Sequence, residues 1–156
     1  SYGDYNMTIS ITTSGGKVTT DNVSFNVSNT FDTMSVTALD GDLVVSPSNM
    51  EAVGEYTLPL HVGAFSNIDA SYQHRCVGTC DTYDRVGGIK VRNYRGEWME
   101  LFRYITPFGV ECDANLDVTD YTSVLQGIVE FELYFETWNG DGYNPSLTFL
   151  FTKGQP

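Results

Sequence analysis

Apolar and polar residues alternate with a period of two along most of the chain, the pattern of strands with one face in a core. The alternation predicts strands over residues 7–12, 18–27, 34–38, 55–60, 68–72, 88–93, 98–105, 129–138 and 147–152. Clusters of turn-forming residues separate them: SGG at 14–16, DGD at 40–42, SPSN at 46–49, NYRGE at 93–97 and NGDG at 139–142. One segment, DVTDYTSVLQG at 117–127, hints at a helix, with Asp120 placed to cap a single turn that Gly127 would end. About nine to eleven short strands with such punctuation imply an all-β antiparallel sandwich or jelly roll. Residues 1–32, rich in Ser, Thr and Asn, are expected to form an extension. It is either a β-hairpin that SGG closes locally or an arm that pairs with a neighbour. Residues 33–156 are expected to form the sandwich itself.

Composition narrows the function classes. At 156 residues and 41% hydrophobic content the chain can bury a core of its own. The net charge of −12, from 20 acidic against 8 basic residues, repels a phosphate backbone and excludes nucleic acid as a partner. No apolar run approaches the roughly 18 residues of a bilayer-crossing helix, so no membrane span is expected. The start at Ser1, without a basic-then-apolar leader, reads as a mature chain or an excised piece.

Candidate chemistry centres on RCVGTCDTYDRVGGIKVRN at 75–93, which admits three readings. A zinc knuckle needs four soft ligands, and beyond Cys76 and Cys80 the chain offers only Cys112, His61 and His74, with no second pair at knuckle spacing. A redox pair has two residues between its cysteines and opens a helix, whereas here three intervene and a strand follows. A Cys76–Cys80 disulfide would close a small ring worth about 2 kcal/mol in loop entropy. It would fix the backbone ahead of Asp81, Tyr83, Asp84 and Arg85, and it implies a secreted, extracellular or periplasmic protein. No metal or other cofactor is expected. Cys112 is left over, as a buried thiol or as a contact with another subunit or domain. Asn6, Asn22 and Asn26 stand in Asn-x-Ser/Thr sequons, which suit a glycosylated surface and also arise by chance in so polar a stretch.

CDTYDR at 80–85, RGEWMELFRYITPFGV at 95–110, LDVTDYTSVLQG at 116–127 and ELYFETW at 132–138 resemble, in order and interval, the N-terminal domain of the peptide-N-glycosidase F family. The resemblance spans residues 34–152. It implies an eight-stranded antiparallel jelly roll, one of two packed side by side, and hydrolysis of the amide joining asparagine to the first N-acetylglucosamine of an N-linked glycan. By position it makes Asp84 the principal catalytic acid, Glu136 a supporting carboxylate, Arg85 a substrate contact and Trp138 the indole beside it. Tyr83 stands where the family has Trp, and the cysteine loop is one residue shorter than the family's. The residue chemistry agrees: two acids in different environments can divide water activation from protonation of the leaving nitrogen. Tyr83 and Trp138 suit a sugar face, while Arg85 and Asp81 suit its oxygens and hydroxyls.

The implied partners are a second jelly-roll domain or neighbouring subunit, and an N-glycosylated peptide. Simpler roles stand beside these. Asp84 and Arg85 can form a solvated ion pair, Glu136 can point to solvent opposite Leu133 and Phe135, Trp98 after the RGEW turn can be a core residue, and DVTDY can serve its own backbone. The whole domain can equally be a non-catalytic structural module of a fibre, filament or virion that polymerises through its edge strands.

Overall fold

The computed structural model describes residues 3–16, 18–27, 33–60, 65–93 and 96–154. His61, Tyr94 and Arg95 of the expected 93–97 turn, Ser28 of the third sequon, and the junction at 28–32 lie outside them. Contacts divide the chain into two units, Ser1–Phe31 and Asp32–Pro156. In the first unit, strands β1 (Gly3–Thr12) and β2 (Val18–Val27) pair antiparallel in unbroken register, from Gly3 opposite Val27 to Thr12 opposite Val18. Gly16, at φ +79°, donates its N–H to the Thr13 carbonyl (2.9 Å) and closes the turn.

The second unit contains eight strands: β3 (Thr33–Asp40), β4 (Glu51–Leu58), β5 (Phe65–His74), β6 (Val86–Asn93), β7 (Met99–Ile105), β8 (Cys112–Asp117), β9 (Gly127–Phe135) and β10 (Ser146–Lys153). They form two antiparallel sheets, β3-β10-β5-β8 and β4-β9-β6-β7. Every connection except β6–β7 crosses from one sheet to the other, which is the jelly-roll order. The loops at 41–50, 75–85, 106–111 and 136–145 therefore all emerge at one end of the sandwich.

Alternation supplies the core between the sheets. Leu147, Phe149 and Phe151 of β10 face Val129, Phe131, Leu133 and Phe135 of β9, all at most 1% exposed, and the Phe131 and Phe149 rings stack at 5.9 Å. Each such side chain contributes roughly 1.5–3 kcal/mol by leaving water. Gly87 sits opposite Phe135, and a Cβ there would lie 2.1 Å from the ring. Only glycine lets that ring lie flat on β6.

Several elements differ from the sequence reading. The expected list lacked β8, whose Cys-Asp-Ala-Asn-Leu-Asp alternates but lacks β-branched residues; pairing with β5 holds it. β4 begins at Glu51 rather than 55 and ends at Leu58 rather than 60. Trp98 precedes β7 and is half-buried rather than core, with the Arg92 guanidinium 4.3 Å above its ring. β9 ends at Phe135, so Glu136 and Trp138 belong to a loop.

The expected helical turn is a short 3₁₀ turn, Thr119–Tyr121. Asp120 does not cap it; the Asp117 carboxylate accepts from the Thr119 N–H (3.0 Å) and hydroxyl (2.6 Å). Cys112 is a half-buried free thiol in the wall of a cavity of about 240 Å³ between edge strands β7 and β8.

His74 lies fully buried at the end of β5, its Nδ1 2.7 Å from the Tyr104 hydroxyl, which in turn meets Tyr72 at 2.5 Å. Burial lowers its pKa from 6.5 to about 4; Glu111 opposes the shift and Arg75 adds to it. The unfolded chain therefore takes up a proton that the folded one refuses. This stabilisation is complete above pH 6.5 and is lost as pH falls from 6.5 through 4. We expect about 3 kcal/mol to disappear across that window. Urea midpoints measured between pH 4 and 7 on the native chain and on His74→Gln check this: the native slope should flatten in the variant.

Candidate functional site

Three of the four loops at the common end meet at one residue, Asp81. Cys76 and Cys80 form a disulfide with their Cα atoms 5.2 Å apart, which takes both thiolates that a zinc knuckle would need. The ring is strapped to the 136–145 loop. Val77 N–H donates to the Gly142 carbonyl (3.0 Å), Asp141 N–H to the Thr79 carbonyl (2.9 Å), and Thr79 N–H to the Asp141 carboxylate (2.8 Å). The glycines of NGDG make this approach possible. Gly140 and Gly142 have positive φ, and a Cβ on either would lie 2.6 Å or less from a backbone oxygen of Thr79 or Val45.

The next residue, Asp81, is 1% exposed. Its Oδ2 accepts from Arg85 Nε (2.6 Å), the Thr137 hydroxyl (2.9 Å) and Asn139 N–H (3.2 Å), and its Oδ1 from Tyr83 N–H (3.0 Å) and Arg85 Nη2 (3.3 Å). Its carbonyl accepts from Gly109 N–H (3.0 Å), which brings in the third loop. Thr106 of that loop meets Arg85 twice: its N–H donates to the Arg85 carbonyl (2.7 Å), and its hydroxyl accepts from Arg85 N–H (2.9 Å). Burial alone would raise the Asp81 pKa. Arg85, the Tyr83 N–H, Thr137 and Asn139 outweigh it and hold the carboxyl well below the ordinary range.

Arg85 is enclosed in turn. Its guanidinium carbon lies 4.6 Å from the Trp138 ring centre and 5.1 Å from that of Tyr83, and the side chain is only 13% exposed. Its ion-pair partner is Asp81, not the adjacent Asp84 of the sequence reading. Tyr83 and Trp138 remain 55% and 60% exposed, and with Ile105 (64%) and Phe108 (67%) they make this end of the sandwich apolar as well as acidic.

Asp84, two residues before β6, is exposed, as is Glu136, the first residue after β9. The Glu136 N–H donates to the Val86 carbonyl (2.9 Å), so the two acids sit at adjoining ends of paired strands. Asp81, Tyr83, Asp84, Arg85, Glu136 and Trp138 thus share one rim. Sequence reasoning missed Thr106, Thr137 and Asp141, which hold the rim together and carry no spacing signal. Among the described residues no group of three or more His, Cys, Asp or Glu is arranged to hold a metal.

Fold and rim together define an eight-stranded jelly-roll domain with a disulfide-anchored carboxylate–arginine centre between its loops. No family model matches the chain. The peptide-N(4)-(N-acetyl-beta-D-glucosaminyl)asparagine amidase F of Elizabethkingia miricola is 35% identical over 115 residues, 69% of this chain and 32% of that protein. The solved peptide:N-glycanase F superposes with a TM-score of 0.71 at 32% identity, covering 81% of this chain and 43% of that one. The glycosylasparaginase PNGase F of Flavobacterium meningosepticum gives 0.72 at 31% identity over the same shares. PNGF-II, at 13% identity and a TM-score of 0.60, shares the fold.

In sequence and structure the chain matches the N-terminal domain of the peptide-N-glycosidase F family. It spans about a third of the curated relative's length and under half of the first two solved chains.

Replacing Asp81 with alanine strands the Arg85 charge and removes the acceptor for two loop N–H groups. We expect a loss of about 3 kcal/mol. Urea denaturation checks it, and a loss under a third of that would mean that the loops are held by other contacts.

Proposed function

We propose that this domain is the N-terminal half of an amidase that hydrolyses the bond between asparagine and the first N-acetylglucosamine of an N-linked glycan. A second domain of similar fold completes the cleft. The observation that carries this reading is the pairing of Glu136 with Val86, which sets Glu136 and Asp84 at adjoining strand ends, in a chain 35% identical to such an amidase. Amide hydrolysis needs one carboxyl group to activate water and a proton for the departing nitrogen, and two exposed acids on one rim supply that pair. Asp84 is the principal acid and Glu136 its support.

Arg85 holds a carbonyl or hydroxyl oxygen of the substrate. Its approach is fixed because Asp81 and two aromatic rings leave it one position. The outer faces of Tyr83 and Trp138 stack on sugar rings. Asp81, buried and fully bonded, acts through Arg85 and is a positioning residue rather than a ligand contact. The exposed apolar side chains of Ile105 and Phe108 lie beside the same loops and suit burial against the second domain.

The test is release of N-glycans from a denatured glycopeptide by the full-length protein, by Asp84→Asn and by Glu136→Gln. We expect the Asp84 variant to lose at least about a hundredfold in kcat/KM and the Glu136 variant less. No release by the full-length protein, or equal rates in all three, overturns the proposal.

A further inference from the structure

The chain has ten asparagines, and the three in functional sequons all lie in the hairpin, since proline disqualifies Asn144-Pro-Ser. The register makes this more than a cluster in sequence. Asn6 stands opposite Ser24, Thr8 opposite Asn22, and Asp4 opposite Asn26. Asn6 and Asn22 therefore share one face of the ribbon, together with the hydroxyl residues Thr8 and Ser24 of their sequons.

Asn6, Thr8, Ser10, Asn22 and Ser24 on that face are all exposed. The Thr8 hydroxyl donates to the Asn22 amide oxygen (2.7 Å), and the Ser24 hydroxyl donates to the Asn6 amide oxygen (2.6 Å). Each sequon's hydroxyl thus bonds the amide oxygen of the other. The alternation sets Met7, between Asn6 and Thr8, on the opposite face.

From this geometry we propose that the hairpin is a modification site whose Asn6 and Asn22 carry N-linked oligosaccharides. The Cys76–Cys80 disulfide is an independent sign of passage through an oxidising compartment, where such glycans are added. The donor class is a lipid-diphosphate-linked oligosaccharide. Asparagine Nδ2 forms a C–N bond to the anomeric carbon of the terminal N-acetylglucosamine, and the C–O bond to diphosphate breaks. The lipid diphosphate leaves with the electron pair, and an amide proton passes to the transferase. Bulk on the hydroxyl face leaves the other face of the ribbon unchanged, so the folded hairpin accommodates both glycans. They also hinder edge-to-edge pairing of its strands with other chains.

The experiment is mass spectrometry of the protein recovered from its native source, with peptides covering residues 3–16 and 18–27 analysed before and after enzymatic deglycosylation in ¹⁸O-water. We expect hexose- and N-acetylhexosamine-bearing peptides that convert to ¹⁸O-labelled aspartate at Asn6 and Asn22. Expressed in the same source, Thr8→Ala should lose occupancy at Asn6 while keeping it at Asn22, and Ser24→Ala the reverse. Unmodified asparagine at both positions in the native protein overturns the proposal, as does occupancy that neither substitution removes. The outcome is independent of whether the sandwich is an amidase.

Discussion

The buried carboxylate of Asp81 is the constraint on which the rim depends. A buried ion pair is by itself weak evidence for stability, because desolvation offsets most of the attraction. Asp81 does more than pair with Arg85, since it also accepts from the N–H groups of Tyr83 and Asn139 and from the Thr137 hydroxyl. Without that acceptor, two loops would each bury an unsatisfied donor at about 1–3 kcal/mol apiece. The cost of misplacing Asp81 thus exceeds the gain from the pair, so one arrangement of the loops is selected over many. The disulfide acts one step earlier, by limiting where residue 81 can be before folding ends.

The jelly roll was legible because period-two alternation and turn residues report on burial, and seven of its eight strands overlap segments that the alternation marks. The misses have local causes. β8 alternates as cleanly as any strand, yet its polar positions are Asp and Asn, which favour turns until a neighbouring strand supplies the ladder. The extension of β9 to Trp138 failed because Thr137 turns inward to Asp81, a bond between residues 56 apart that no window of sequence contains. Asp120 looked like a cap from its spacing, but the turn starts at Thr119, ahead of it, and Asp117 takes the Thr119 N–H from the end of β8.

The rim's membership was legible while its internal pairing was not. The motif CDTYDR set Asp81, Tyr83, Asp84 and Arg85 on one loop, and ETW set Glu136 and Trp138 on another. Sequence proximity favoured Asp84 as the partner of Arg85. The folded loop instead turns so that Arg85 reaches back four residues to Asp81. The consequence is a division of labour between two aspartates three residues apart: one is desolvated and held ionised, and the other stays exposed at the strand end. That division follows from loop geometry, with Gly109 and Asn139 N–H groups closing on Asp81 from two other loops.

The enclosure of Arg85 also restricts what can read it. Trp138 and Tyr83 lie near its guanidinium carbon at 4.6 and 5.1 Å, while Nε and Nη2 are turned to Asp81. The remaining N–H directions lie in the guanidinium plane, so only an edge-on approach to them is open. A lysine at this position would carry the charge without the plane, and neither the two rings nor the carboxylate would then define an orientation. Planarity, rather than charge, is what the clamp of Asp81 and the two rings fixes in orientation.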